Sequence, residues 1–326
     1  GGPTGPSHPG ATNPRGPMAE LAATPARTAP PRRRSRITAH EARTAVLFLL
    51  PSFLGFVAFM LFPIVASLGL SFTNWQLLSA PQFVGFSNYV RLLTTDPSFF
   101  TVLGNTLFFT VEYLVLNIVI ALGLAVWISS LKRGQRWFRV IFFIPTFTPT
   151  IAVSVVWLLI FTPGGVVDYL FQMLSLAFPN MLLDGNLAMQ AVIIVTLWAN
   201  VGYNMVLFNA ALDLVPQSYL EAAKIDGASA WDRFWKIRLP LISPTIFFGT
   251  VMTAITSLQV FDQIYVITRG GPGSSTATLG FAIYTNGFQN YQMGYASALA
   301  WVMFLIIMLL TGFQFWLQRK WVHYDS

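Results

Sequence analysis

Two sets of uncharged polar residues interrupt apolar sequence at helical spacing. Thr196, Asn200, Tyr203 and Asn204 each stand three or four residues from another member of their set, so they share one helical face. Thr250, Thr253 and Ser257 repeat the pattern later in the chain, with Gln259, Asp262 and Gln263 beyond them. Neutral donors and acceptors beside rings such as Phe261 and Tyr265 match the hydroxyls and apolar C–H faces of a sugar. Two such faces opposite one another read as a hydrated path. Taken singly, each group reads equally well as polar glue between helices, about 0.6 kcal/mol on average.

Other chemistry is poorly represented. The chain has no cysteine, and its three histidines (His8, His40, His323) lie near the ends, so a disulfide framework, a thiolate nucleophile or a His-built metal or acid–base site is not expected. Without paired carboxylates or a nucleophile-and-base pair, a membrane-embedded enzyme or scaffold has no support. Glu112 and Asp262 fall in apolar runs, where a central charge costs roughly 2.5–3.5 kcal/mol. Such groups are functional by default, but a cross-helix partner for Glu112 and a place near the outer interface for Asp262 would serve as well as a proton relay.

A second constellation fills residues 216–244, a polar excursion between two greasy segments. Pro216 suits the first position of a helix, and Gly227 the left-handed residue after its end. Ser229 followed by Asp232 resembles a capping box opening a second helix. Trp231, Phe234, Trp235 and Arg238 give that helix a stripe, and Pro240 is expected to stop it. The result is a helical hairpin with Glu221 and the small Ala222-Ala223 pair on its first helix. Physics alone leaves it equally open whether this is a docking element or an ordinary amphipathic hairpin packed on its own protein.

The elements that must position these groups are membrane spans. Of 326 residues, 55% are hydrophobic and 10% charged, and the mean hydropathy is +0.61. Soluble domains carry about 25% charge, so this is an integral membrane protein. Six runs are long enough to span about 30 Å of hydrocarbon: 45–72, 99–131, 137–161, 187–214, 241–268 and 293–318. The second exceeds the bilayer and is expected to tilt or project. Prolines within spans (Pro51, Pro63, Pro145, Pro149) require neighbouring helices to satisfy freed carbonyls, which argues for a packed bundle. Between spans, Ser87 is placed as cap of a short interfacial helix through Leu93, residues 161–186 as a loop with an apolar lid, and Arg269-Gly270-Gly271-Pro272 in a tight turn.

With both termini cytoplasmic, 17 of the 19 Lys and Arg fall inside and only Arg91 and Arg269 outside, so the 216–244 loop is expected in the cytoplasm. The formal net charge of +7 therefore reads as a topology signal, and nucleic-acid binding is not expected. Residues 1–40, rich in Pro, Gly, Ala and Thr and ending in Arg32-Arg33-Arg34 and Arg36, read as a disordered basic cytoplasmic tail before a transmembrane domain over 41–326. A cleaved signal peptide loses to this reading because the first apolar run is too long and too aromatic. The start Gly1-Gly2-Pro3, without Met, reads as a scar or an unusual extension.

Glu221-Ala222-Ala223, Asp226-Gly227-Ala228, Phe234, Ile237, Leu239-Pro240 and Pro244 resemble the EAA loop of ABC-importer permeases. The resemblance extends over the six spans, through Val84-Gly85-Phe86-Ser87-Asn88-Tyr89 and Gly270-Gly271-Pro272, and is greatest to the carbohydrate-uptake permeases of the maltose and glycerol-phosphate type. It implies an all-α integral membrane protein: six transmembrane helices with a cytoplasmic coupling loop at about 214–240. It also implies a second homologous permease, two ATPase subunits carrying ATP and Mg2+, an extracytoplasmic solute-binding protein and a small carbohydrate substrate, within the lipid of a bacterial inner membrane. Glu221, Ala222, Ala223, Asp226 and Gly227 would engage an ATPase; Thr196, Asn200, Tyr203, Thr253 and Ser257 would line the solute pathway. Several of these types differ from the maltose-type pattern, which leaves the particular sugar open. No phosphate loop G-x-x-x-x-G-K-[ST] exists and none of the four lysines follows a glycine, so ATP hydrolysis is expected elsewhere. Amino-acid, peptide and phosphonate importers share the loop. An ion-coupled secondary transporter is the remaining alternative, and no inverted repeat supports it.

Overall fold

A computed structural model describes residues 1–2, 39–176, 180–319 and 322. The basic tail expected over residues 1–40 lies outside them, apart from Gly1, Gly2 and the first helical residues. Every extended regular element among the described residues is helical; β structure is limited to isolated bridges. Among the described residues six helices are long and apolar enough to cross a membrane: Val46–Ser71, Pro97–Ser130, Thr150–Met173, Ala188–Asp213, Ala230–Ile267 and Met293–Gln318. The chain divides into a first unit, Gly1–Phe56, and a second, Val57–Ser326. Helix α1 (Ala39–Phe56) belongs to the first; it is apolar with Pro51 inside it, and Phe48, Phe53 and Leu54 are exposed.

The second unit opens with a π turn, Val57–Leu61, and α2 (Phe62–Ser71). A short α3 (Ser87–Val90) passes into a π turn, Arg91–Thr95. Phe86, not Ser87, holds the cap position, and no side chain caps this helix. The backbone N–H of Ser87 instead donates to Val84 O at 3.3 Å, so the Gly85 turn starts the helix without a hydroxyl cap. Asp96 caps α4 (Pro97–Ser130) by accepting from Ser98 N at 2.9 Å. The 34 residues of α4 extend about 51 Å at 1.5 Å per residue, well past the hydrocarbon core.

The third apolar run is not one helix. It divides into α5 (Gln135–Phe143), a 3-10 turn (Ile144–Phe147) and α6 (Thr150–Phe161). Pro145 and Pro149 are the cause: neither can donate to the ladder, and Pro149 takes the extended cap position of α6. Residues 161–186, expected as a loop, contain α7 (Val166–Met173). Then come α8 (Ala188–Asp213), α9 (Gln217–Ile225), α10 (Ala230–Arg233), a π turn (Phe234–Arg238) and α11 (Leu239–Leu258). After a break come α12 (Asp262–Ile267), α13 (Leu279–Tyr284), a π turn (Thr285–Gln289) and α14 (Met293–Gln318).

Pro240 does not stop its helix. The π turn just before it leads directly into α11, as the π turn Val57–Leu61 leads into α2 with Pro63. A proline ring collides with the carbonyl four residues back, here Phe59 and Lys236, and widening the coil there moves that carbonyl aside.

Helix α8 is the centre of this unit, packed along α4 and touching α5, α6, α11 and α12. Its composition explains this: beside the polar face of Thr196, Asn200, Tyr203 and Asn204, apolar residues such as Val192, Ile193, Met205 and Phe208 pack against several neighbouring helices. At the end near α9 it packs in a core of Ala121, Ala125, Ile128, Met205, Phe208 and Ile242. Gly202 permits the closest approach. A Cβ there would lie 2.0 Å from Phe142 O, so any side chain would push α8 off α5.

Candidate functional site

The two polar faces meet. Thr196, Asn200, Tyr203 and Asn204 from α8 face Thr253 and Ser257 from α11 across a cavity of about 610 Å3. All five residues assigned to a solute pathway thus line one space, though they differ in what they offer it. The Thr196 hydroxyl donates to Val192 O at 2.7 Å and that of Ser257 to Ala254 O at 2.9 Å, leaving their oxygens as acceptors. Asn200 donates to Thr196 O at 3.0 Å, and Tyr203 is 45% exposed, the most open of the five. Thr250 does not line the cavity; its hydroxyl bonds to Ile246 O at 2.8 Å.

Further walls come from residues the polar periodicity did not single out. Phe109 and Tyr113 of α4, with Thr146 and Thr150 from the broken third run, add to the lining. The Thr146–Thr150 pair, four apart and flanked by Pro145 and Pro149, was the available signal for that wall. The break after α11 matters most. Gln259, Val260 and Phe261 leave the helix, and with Asp262 and Gln263 they line the cavity. The fifth run, expected as one helix to residue 268, is therefore discontinuous. Irregular backbone at membrane depth is tolerated where protein buries it or where it lines a cavity, and both hold: the Thr278 hydroxyl donates to the freed Val260 O at 3.1 Å. Phe261 stacks on Tyr265 with centroids 5.4 Å apart, so Tyr265 buttresses a wall ring from behind.

Toward the α9 end, a chain of hydrogen bonds ties three helices. Asn204 Nδ2 donates to Asn117 Oδ1 (2.6 Å) and to Thr253 Oγ1 (2.7 Å), and Asn117 Nδ2 donates to the Tyr113 hydroxyl at 3.3 Å. All four side chains are buried, and Asn204 Oδ1 is left without a partner among the described residues. Glu112 lies outside the cavity and accepts from Gln190 Nε2 across helices at 3.4 Å.

The loop is the second candidate site. Pro216 is the N-cap of α9, one position before the expected one, with φ −58°. The helix ends in a Schellman arrangement: Gly227 has φ +82°, its N–H donates to Lys224 O (3.1 Å), and Ala228 N–H donates to Ala223 O (2.9 Å). Ser229 caps α10 by accepting from Asp232 N at 3.1 Å, and Asp232 pairs with Lys236 at 2.7 Å. Leu220 is the buried residue of α9. On the opposite face Ser218, Glu221, Ala222 and Ile225 form an exposed stripe, with Ile225 87% exposed. Ala223 is half-buried on the flank, and Asp226 and Gly227 are exposed at the tip. Trp231 is 70% exposed and packs at a tilt on Trp235, so it does not fold back onto the protein.

A set of membrane-spanning helices around a polar cavity, with a capped helix standing outside them, defines a permease. Residues 117–323 match the family model of binding-protein-dependent transport system inner membrane components, and the chain belongs to that family as a multi-pass inner-membrane protein. The probable ABC transporter permease protein YesP of Bacillus subtilis is 34% identical over 298 residues, 90% of this chain and 96% of that protein. The multiple sugar-binding transport system permease protein MsmF of Streptococcus mutans is 35% identical over 81% of this chain and 91% of its own. In fold the chain is similar to a subunit of a bacterial alginate ABC transporter solved with an alginate pentasaccharide-bound periplasmic protein (TM-score 0.78, 21% identity, 88% of this chain and 98% of that one).

Proposed function

We propose that this chain is one of two permease subunits of an ATP-driven, binding-protein-dependent importer, and that it passes a sugar, oligosaccharide or polyol-type solute by alternating access. The observation that carries the reading is the cavity, whose uncharged hydroxyls and amides on α8 and α11 stand beside Tyr113, Tyr203 and Phe261. Hydroxyl-rich solutes need this mixture of acceptors, donors and ring faces. The relative MsmF agrees, since it belongs to a multiple sugar-binding transport system.

In this reading both termini and α9 face the cytoplasm, as the distribution of Lys and Arg favours. Glu221, Ala222, Ala223, Asp226 and Gly227 engage one of two ATPase subunits, which hold ATP and Mg2+. The exposed stripe supports this, because Ile225 and Ala222 have no cover among the described residues. A solute-binding protein delivers the solute from the opposite side. Reconstituted with its partner permease and ATPase subunits, the complex is expected to raise its ATPase rate on addition of carbohydrate-loaded binding protein. Stimulation by an amino acid or a peptide instead would refute the carbohydrate assignment.

A further inference from the structure

One ionisable carboxylate lines the cavity. Among the described residues no Lys, Arg or His does so, and Asp262 is the acidic residue in the wall. It stands half-buried in the first turn of α12, directly after the break, and has no hydrogen bond or ion pair with any described residue. Four other described carboxylates are engaged: Asp213 pairs with Arg139, Asp232 with Lys236, Asp96 accepts from Tyr295, and Glu112 accepts from Gln190. An unpaired carboxylate in a membrane span is costly and is kept where it faces a water-filled space and has a task.

Two physical properties define that task. An ionised carboxylate is acceptor-only, with two oxygens that can take hydroxyl hydrogens in charge-assisted bonds. Within low-dielectric walls its field also opposes the entry of another anion, and the surrounding Gln259, Gln263 and Asn200 amides carry no positive charge to offset it. We propose that Asp262 is a charge filter: it holds hydroxyls of a neutral polyhydroxylated solute and turns away solutes bearing a phosphate or carboxylate. This rests on the carbohydrate reading above and narrows it.

The complete importer in proteoliposomes tests the filter with two matched pairs of probes, maltotriose against trigalacturonate and glycerol against glycerol 3-phosphate. The wild-type complex is expected to carry the neutral member of a pair in preference. Asp262→Asn should lower the neutral-to-anionic uptake ratio at least about tenfold, and Asp262→Lys should lower it further. Glu112→Gln, outside the cavity, should leave the ratio unchanged. Wild-type uptake of the anionic member equal to or above that of the neutral one overturns the filter while leaving the carbohydrate reading standing, and this comparison decides even where a variant fails to assemble. An unchanged ratio in assembled Asp262→Asn and Asp262→Lys also overturns it. Uptake of none of the four probes, with stimulation by an amino acid or a peptide instead, removes the carbohydrate reading and the filter with it.

Discussion

Glu221→Lys is expected to leave the importer assembled in the membrane and to reduce its uptake to background. Glu221 is exposed on α9, and its neighbours on that face are Ser218, Ala222 and Ile225, while Leu220 anchors the helix from the other side. A substitution at such a position changes folding stability by no more than about 0.5 kcal/mol, so the subunit itself is unaffected. At a docked interface the same change reverses a charge against the partner. Losing one member of a desolvated charge pair costs about 2–5 kcal/mol, and a like charge in its place costs more. ATPase subunits in the variant should hydrolyse ATP at a basal rate that solute-loaded binding protein no longer raises. Full uptake at normal complex levels would show that the stripe on α9 has another purpose.

The second large effect is expected inside the cavity. Asn200→Ala combined with Ser257→Ala removes one polar group from each facing wall. If each holds a solute hydroxyl, the loss is about 0.5–1.5 kcal/mol per hydrogen bond, or about 1–3 kcal/mol together. That is a weakening of solute affinity by roughly 5- to 150-fold. Thr250→Ala supplies the control, because Thr250 shares the α11 stripe but not the cavity. The double variant is checked by concentration dependence of uptake in vesicles with matched complex content. Unchanged affinity would move solute recognition to other walls or to the partner permease.

How much of this was legible in the chain depended on the range of the signal. Apolar runs and local caps are short-range, and several read true: span six runs Met293–Gln318, Gly227 takes the left-handed conformation, and Ser229 caps α10 on Asp232, whereas Ser87 does not cap its helix. The stripes were legible because spacing of three and four fixes a face, and the structure closes those faces on one cavity. Proline was misread in both directions. Pro240 was expected to end a helix and is accommodated by a π turn, whereas Pro145 and Pro149, expected within a span, interrupt it. Neighbouring helices decide which outcome a proline produces, and a local rule does not contain them. The same holds for the break at residues 259–261, where the freed Val260 carbonyl finds Thr278, a residue 18 positions on. Tyr113 reaches the cavity because α4 packs beside α8, which no periodicity within its own segment reports, and the Thr146–Thr150 spacing does not say which helix that pair faces.

The contact between α9 and an ATPase subunit is the centre of this account, and the absence of cysteine makes it directly measurable. Ala222→Cys introduces a single thiol on the exposed stripe. In the assembled importer, a short thiol-to-amine crosslinker at that position should join this chain to an ATPase subunit in one discrete product. The thiol should also be shielded from a bulky water-soluble maleimide until the ATPase subunits are stripped away. Full maleimide labelling of the intact complex, with no joined product, would contradict the account.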